Sequence, residues 1–209
     1  MEGGETTEGD RGFREIEVRR ASKTTEDRET FLRLLELSGG RVFERLFGPR
    51  WHRVFERYFG DERNLFSAPH VLVLGKGEVL GMALGWSSGT RRAKGLHTVL
   101  QLSPFVLPRL LSPFLFELFR MKIPQNAYYL SNIAIFPPHQ GKGLGSFLLQ
   151  VVEKEAQNSG DSWLVLDVER ENVRALTFYL RNGYEVLRGF PSFVRLRKGW
   201  GNPHSSFRE

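Results

Sequence analysis

Residues 14–20 (Arg-Glu-Ile-Glu-Val-Arg-Arg) alternate charged and apolar side chains with the two-residue period of a half-buried strand. Thr24 or Thr25 then caps a predicted helix bearing Phe31, Leu34, Leu35 and Leu37, and Gly39-Gly40 is expected to end it. A second amphipathic stretch, 41–59, places Val42, Phe43, Leu46, Phe47, Trp51, Val54, Phe55, Tyr58 and Phe59 at helical spacings, with a break near Gly48-Pro49. These aromatic residues read as core, with a cofactor-binding box as the alternative. Two short apolar runs, 69–74 and 79–86, flank Gly75-Lys76-Gly77-Glu78 and predict a β-hairpin.

After Gly89-Thr90 the pattern turns to a long apolar-rich segment, 91–121. In it Ser103-Pro104 and Ser112-Pro113 each resemble an N-cap serine followed by proline in the first helical turn, so two or three short helices are expected. His97, Gln101, Arg109, Glu117 and three prolines interrupt the segment. No uninterrupted run reaches the roughly 18–20 apolar residues that cross a bilayer. A helical insertion that covers one end of the sheet, or meets an apolar substrate or partner, is the better reading.

The pattern sharpens at Tyr128. Residues 128–136 (Tyr-Tyr-Leu-Ser-Asn-Ile-Ala-Ile-Phe) read as a strand stopped by Pro137-Pro138. A glycine-rich turn then opens a helix whose apolar face runs through Leu148, Leu149, Val152 and Ala156 and stops at Asn158 to Gly160. A buried strand over 163–168, a helix over 172–181 closed by Asn182-Gly183, and strands over 184–187 and 193–196 follow, with no internal repeat.

The hexapeptide Gln140-Gly141-Lys142-Gly143-Leu144-Gly145, set between a strand and a helix, suits an anion site. Glycines let the backbone approach a pyrophosphate closely, and the first N–H groups of the helix, at the positive end of its dipole, face the negative charge. Two familiar phosphate loops do not fit. In one, Gly-Lys must precede Ser or Thr, but Gly143 follows Lys142; in the dinucleotide fingerprint the third glycine would come one residue later than Gly145.

Composition narrows the setting. The 209 residues, 40% hydrophobic and 26% charged, suit one folded domain rather than a disordered chain. There is no cysteine, which excludes disulfides, thiolate metal sites and a cysteine nucleophile and fits a reducing cytoplasm; no metal site is expected. Met1 to Asp10 have neither the basic start nor the apolar stretch of a secretory signal, so a cytoplasmic location is expected. The net charge of +6 suits nucleic acid, an anionic membrane or a polyanionic cofactor, but no Lys/Arg block or nucleic-acid module is present, and no nucleic-acid partner is expected.

The segment 128–184 resembles the central part of the GNAT superfamily of N-acetyltransferases. Gln140, Gly143 and Gly145 match its Gln/Arg-x-x-Gly-x-Gly/Ala signature, and Leu166-Asp167-Val168, Asn172, Ala175, Tyr179 and Asn182-Gly183-Tyr184 match its downstream pattern in order. The resemblance implies an α/β (α+β) fold with a mixed, mostly antiparallel sheet, splayed near its middle to open a crevice for acetyl-CoA. It implies a single acetyltransferase domain over 13–198 with the helical insertion at 91–126, between a disordered tail at 1–12 and a flexible one at 199–209. The strand residues Ile133, Ala134 and Ile135 would line the pantetheine, with main-chain bonds from Ile133 and Ile135. Gln140, Gly141, Lys142, Gly143, Leu144, Gly145 and Ser146 would hold the pyrophosphate; Lys142 either adds charge or is simply solvated.

The chemistry so implied is direct attack by a neutral primary amine on the thioester, without an acyl-enzyme. Asn172 stands where the family contacts the cofactor and Tyr179 where it protonates the departing thiolate, packing being the alternative for the tyrosine. A proton must also leave the amine. Asp167, where relatives that acetylate protein N-termini carry glutamate, and Glu169, on the same side of the strand, are the candidate bases, with solvated or salt-bridged carboxylates as the alternative. His97 is a weaker one. The acceptor is expected to be a protein or peptide amine rather than a small molecule, because no acidic cluster marks a polycation site. A homodimer is left open, as is a non-catalytic module that senses acetyl-CoA.

Overall fold

The computed structural model describes residues 16–106, 112–114, 117 and 121–200. Residues 1–15, which include the expected tail at 1–12, residues 107–111, 115–116 and 118–120 of the insertion, and 201–209 lie outside them; of the expected tail at 199–209, Gly199 and Trp200 belong instead to the folded part. In chain order come β1 (Glu17–Arg20), α1 (Thr25–Phe47), α2 (Trp51–Gly60), β2 (Val71–Lys76), β3 (Glu78–Trp86) and α3 (Ser88–Val106). Then follow β4 (Ala127–Ile135), α4 (Leu144–Asn158), β5 (Trp163–Glu169), α5 (Val173–Arg181), β6 (Glu185–Gly189) and β7 (Phe193–Gly199). The strands form one sheet in the order β1-β2-β3-β4-β5-β7-β6, in which only β4 and β5 pair in parallel. This is the mixed, mostly antiparallel α/β sheet expected.

Two local expectations are refined. Gly39 leaves helical geometry, as expected, but no loop intervenes there: α1 runs on to Phe47 across the kink. Ser38 Oγ bonds back to the Leu34 carbonyl at 2.8 Å and receives Asn132 Nδ2 of β4 at 2.9 Å, so the kink is docked onto the sheet. Nor does Ser103-Pro104 start a new helix, since Pro104 lies inside α3.

Each face of the sheet buries one apolar layer. On one side α1 and α2 pack Phe31, Leu34, Phe43, Phe55 and Phe59 against Val71, Val73, Met82 and Leu84. The aromatic residues of 41–59 are therefore core, interlocked at 4.7 Å for Phe43–Phe55 and 5.3 Å for Phe43–Trp51, in the offset and edge contacts that aromatic rings favour. On the other side α4 and α5 pack Leu148, Leu149, Val152 and Tyr179 against Leu130, Leu164, Leu166 and Leu196. Among the described residues no helix is long and apolar enough to cross a membrane.

Polar pins fix the helices at their ends. Thr24 caps α1 by accepting from Asp27 N. Asp27 takes a two-pronged bond from Arg19 at 2.7 and 2.8 Å, and this guanidinium holds its carboxyl down to about 2. Buried Asp161 accepts from Ser88 N at the start of α3, placing a carboxylate at a helix N-terminus. Strand β7 runs to Gly199, and Trp200 donates its indole N–H to the Asp161 carbonyl at 2.8 Å.

Candidate active site

The site begins as a fault in the sheet. Strands β4 and β5 pair only from Ala127–Trp163 to Leu130–Leu166 and then part. At the same point the register between β3 and β4 slips by one residue at Leu84/Gly85, leaving Ser131 as an extra residue. Such a bulge bends its strand. Gly85 makes room for it, since a Cβ there would stand 2.6 Å from Tyr128 Cε1.

Beyond the bulge, Phe136 N bonds to Leu80 O at 2.9 Å. Antiparallel alternation therefore directs the backbone groups of Ala134 toward β3 and those of Ile133 and Ile135 away from it, into the gap that β5 has vacated. A half-made ladder lines the crevice. The carbonyl of Ile135 is taken by Gln140 Nε2 at 2.8 Å; the remaining N–H and C=O groups of this edge have no strand beside them.

The crevice runs into the glycine loop. Gly141 and Gly143 have φ of +77° and +81°, the left-handed region that costs other L-residues about 1–2 kcal/mol. Gly143 sits at the N-cap of α4, which has no side-chain cap, so the first N–H groups of the helix are free for an external anion. Gly145 lets α4 close on α5: a Cβ there would lie 3.4 Å from Phe178.

Together these residues wall a cavity of about 510 Å³, lined by Ile133, Ala134, Ile135, Gln140, Gly141, Gly143, Gly145, Ser146, Asn172 and Tyr179 among the expected residues. Two expected residues contribute otherwise. Lys142 is exposed and absent from the lining, and Leu144 turns its side chain into the core, leaving only its backbone toward an anion. Asn172 spends its side-chain oxygen as the N-cap of α5, accepting from Ala175 N at 3.0 Å.

Tyr179 is buried between the rings of Phe178 and Tyr184, yet borders the cavity. Its hydroxyl has no hydrogen-bond partner among the described residues, and burial raises its pKa well above the ordinary phenol value.

The two carboxylates part company. Leu166 and Val168 face α4 and α5, so Asp167 and Glu169 point to the other side of the sheet. Asp167 is locked: Arg195 Nε and Nη2 reach its two oxygens at 2.8 Å each, and Tyr129 Oη donates at 3.1 Å. Arg195 further bonds the carbonyls of Met121 and Lys122, tying the end of the insertion to the sheet. The Glu169 carboxylate, half-buried two residues on, has no ion pair or hydrogen bond among the described residues. His97 sits on α3 and does not line the cavity.

Leu37, Arg174 and Phe178 line the cavity without having been named as site residues from sequence. Arg174 Nη2 bonds Gln140 Oε1 at 2.7 Å and brings the lining its one guanidinium among the described residues. Its place two residues after Asn172, in the first turn of a helix facing a phosphate loop, was the available signal. Leu37 enters only because α1 kinks over β4, which local sequence does not show.

Comparison with known proteins agrees with this architecture. The model of the acetyltransferase (GNAT) family matches residues 38–184. Over 58 residues the chain is 36% identical to the uncharacterized N-acetyltransferase YobR of Bacillus subtilis (strain 168), a stretch that covers 28% of this chain and 24% of that protein. Over 55 residues it is 36% identical to the uncharacterized protein YdhI of the same organism, covering 26% of this chain and 34% of that one. The chain thus matches about a quarter and a third of the length of these two relatives. Among solved structures it resembles an N-acetyltransferase from Staphylococcus aureus Mu50, with a TM-score of 0.62, 18% identity, and coverage of 87% of this chain and 100% of that one. The PaiA N-acetyltransferase of Thermoplasma acidophilum, solved with coenzyme A, gives 0.54 at 18% identity, covering 88% and 99%. With the splayed sheet, the uncapped glycine loop and a family match over most of its length, the chain belongs to the GNAT family of acetyltransferases.

Proposed function

We propose that this protein transfers the acetyl group of acetyl-CoA directly to a primary amine of a protein or peptide. The observation that carries the reading is the unpaired edge of β4 at Ile133–Ile135 running straight into the uncapped N-terminus of α4, with Tyr179 at its side. An amide-rich arm with a pyrophosphate at one end matches that sequence of donors and acceptors. Backbone N–H groups of 141–146 would take the phosphates, Ile133 and Ile135 the pantetheine, and Arg174 adds a positive charge beside them.

Acetyl-CoA supplies an activated thioester, so the protein has only to orient the amine and move protons. The Tyr179 hydroxyl borders the cavity and, as a phenol, is protonated at neutral pH, as a donor to a departing thiolate requires. On the opposite face Glu169 takes the accepting role, directly or through a water, because both oxygens of Asp167 are committed. No acidic cluster stands out in the sequence to receive a polycation, which supports a single amine such as a peptide N-terminus.

Thiol release from acetyl-CoA, measured over peptides and small amines, tests the reading. Tyr179→Phe is expected to lower kcat about 100-fold while calorimetry shows CoA affinity unchanged. CoA binding with no turnover on any amine would favour a sensing role. No CoA binding at all would sink the proposal.

A further inference from the structure

Helix α3 is built inside out. A surface helix normally turns its polar side chains to water and its apolar ones to the core. Here four polar side chains point inward. Thr98 Oγ1 accepts from Leu65 N at 3.0 Å, Gln101 Nε2 donates to Asp61 at 2.7 Å, Lys94 Nζ reaches His70 at 3.0 Å, and Arg91 Nη2 bonds the Pro124 carbonyl at 2.6 Å. The apolar side chains of Leu96, Val99 and Leu100, at the i, i+3, i+4 spacing of one helical stripe, are 74%, 58% and 60% exposed.

Beside this stripe lies a groove between α2 and α3 of about 510 Å³, floored by Phe47, Val54, Leu100 and Pro104 and rimmed by Arg50, Arg53 and Arg57. The three arginines recur on one side of α2 and make no ion pair among the described residues. The surface therefore offers exposed aliphatic side chains next to unneutralised guanidiniums, the combination that seats a helix in a membrane interface, with alkyl groups among acyl chains and cations at phosphates.

We propose that α3 and the arginine-rimmed groove dock this enzyme reversibly on an anionic phospholipid bilayer. Charge selects this occupant over a second copy of the chain. A second copy would bring together two chains that each carry a net +6. The protruding side chains are aliphatic rather than the aromatic anchors that dominate protein interfaces, which favours lipid over a protein partner. The docking face lies outside the acetyl-transfer cavity, so lipid binding and CoA binding are separately measurable.

The full chain is floated with vesicles of phosphatidylcholine alone and of phosphatidylcholine mixed with phosphatidylglycerol, at low and high salt. Binding to the anionic vesicles is expected to exceed that to the neutral ones by at least about tenfold and to weaken as salt rises. Leu96→Gln/Val99→Gln, exposed positions filled by a good helix former, should abolish it, and Arg53→Gln/Arg57→Gln should cut it about tenfold or more. CoA binding and Tm should not change in either variant, which separates lost docking from lost folding. Absence of anionic-vesicle binding at low salt, or binding unchanged in both variants, overturns the proposal. So does sedimentation showing a dimer that the Leu96→Gln/Val99→Gln change dissociates.

Discussion

Asp167 is placed to do one of two things, anchor the sheet or accept a proton, and its partner distinguishes them. In Asp167→Asn the Arg195 guanidinium, with only 5% of its side chain exposed, loses its counter-charge but keeps the carbonyls of Met121 and Lys122. An uncompensated buried charge costs about 3–5 kcal/mol, and the surviving acceptors point to the lower end, about 3 kcal/mol. For a chain of this length that is a fall in Tm of roughly 6–12 °C. The double variant Asp167→Asn/Arg195→Gln removes both charges and keeps hydrogen-bonding side chains, so it should recover half or more of the loss. Thermal denaturation followed by circular dichroism reads stability, and thiol release reads kcat. If Asp167 only anchors, the double variant regains activity to within about tenfold of the wild type. A double variant that is stable yet slowed about 100-fold or more would refute this reasoning and make Asp167 the base. A double variant as unstable as the single one would refute the anchoring account.

Two further outcomes are expected. Gly143→Ala forces a side chain into a φ of +81° at the start of α4, so the loop must shift or absorb about 1–2 kcal/mol, and calorimetry should show CoA affinity weakened about five- to thirty-fold; unchanged affinity would show that the N–H groups of this turn do not hold the ligand. Burial, with the Lys94 ammonium beside it, lowers the His70 imidazole from 6.5 to about 4. The folded protein then binds fewer protons than the unfolded chain between those values, so this part of the stability is full above pH 6.5 and is lost as pH falls toward 4. His70→Gln should flatten the decline of Tm across that window, and an unchanged slope would remove His70 as its source.

The residues expected on the cofactor side lie close together because they are local: a strand, two glycines of positive φ and a helix start fall within Ala127 to Ser146, and Asn172 and Tyr179 ride on one short helix, while their expected roles came from the family resemblance. What sequence hid depends on partners far along the chain. Whether Asp167 is a base or half of an ion pair is decided by Arg195 on β7, 28 residues away, through the β5–β7 register. The splay itself depends on the bulge at Ser131, which no side-chain pattern announces. Gly39-Gly40 read as a helix stop because glycine lacks a Cβ. Docking of Ser38 and Gly39 on Asn132 instead holds the helix together across the kink. Helix α3 misled in the same way, since Ser103-Pro104 looks like a beginning and the proline is accommodated near the end of an existing helix.

Gln140 carries a last consequence. One end of its amide holds the carbonyl of Ile135, where β4 finishes, and the other receives Arg174 from the opening turn of α5. A single side chain thus clamps strand, loop and second helix into their relative positions. For the proposed acetyl-CoA site this means that the entropy of ordering the loop is spent during folding rather than at each encounter.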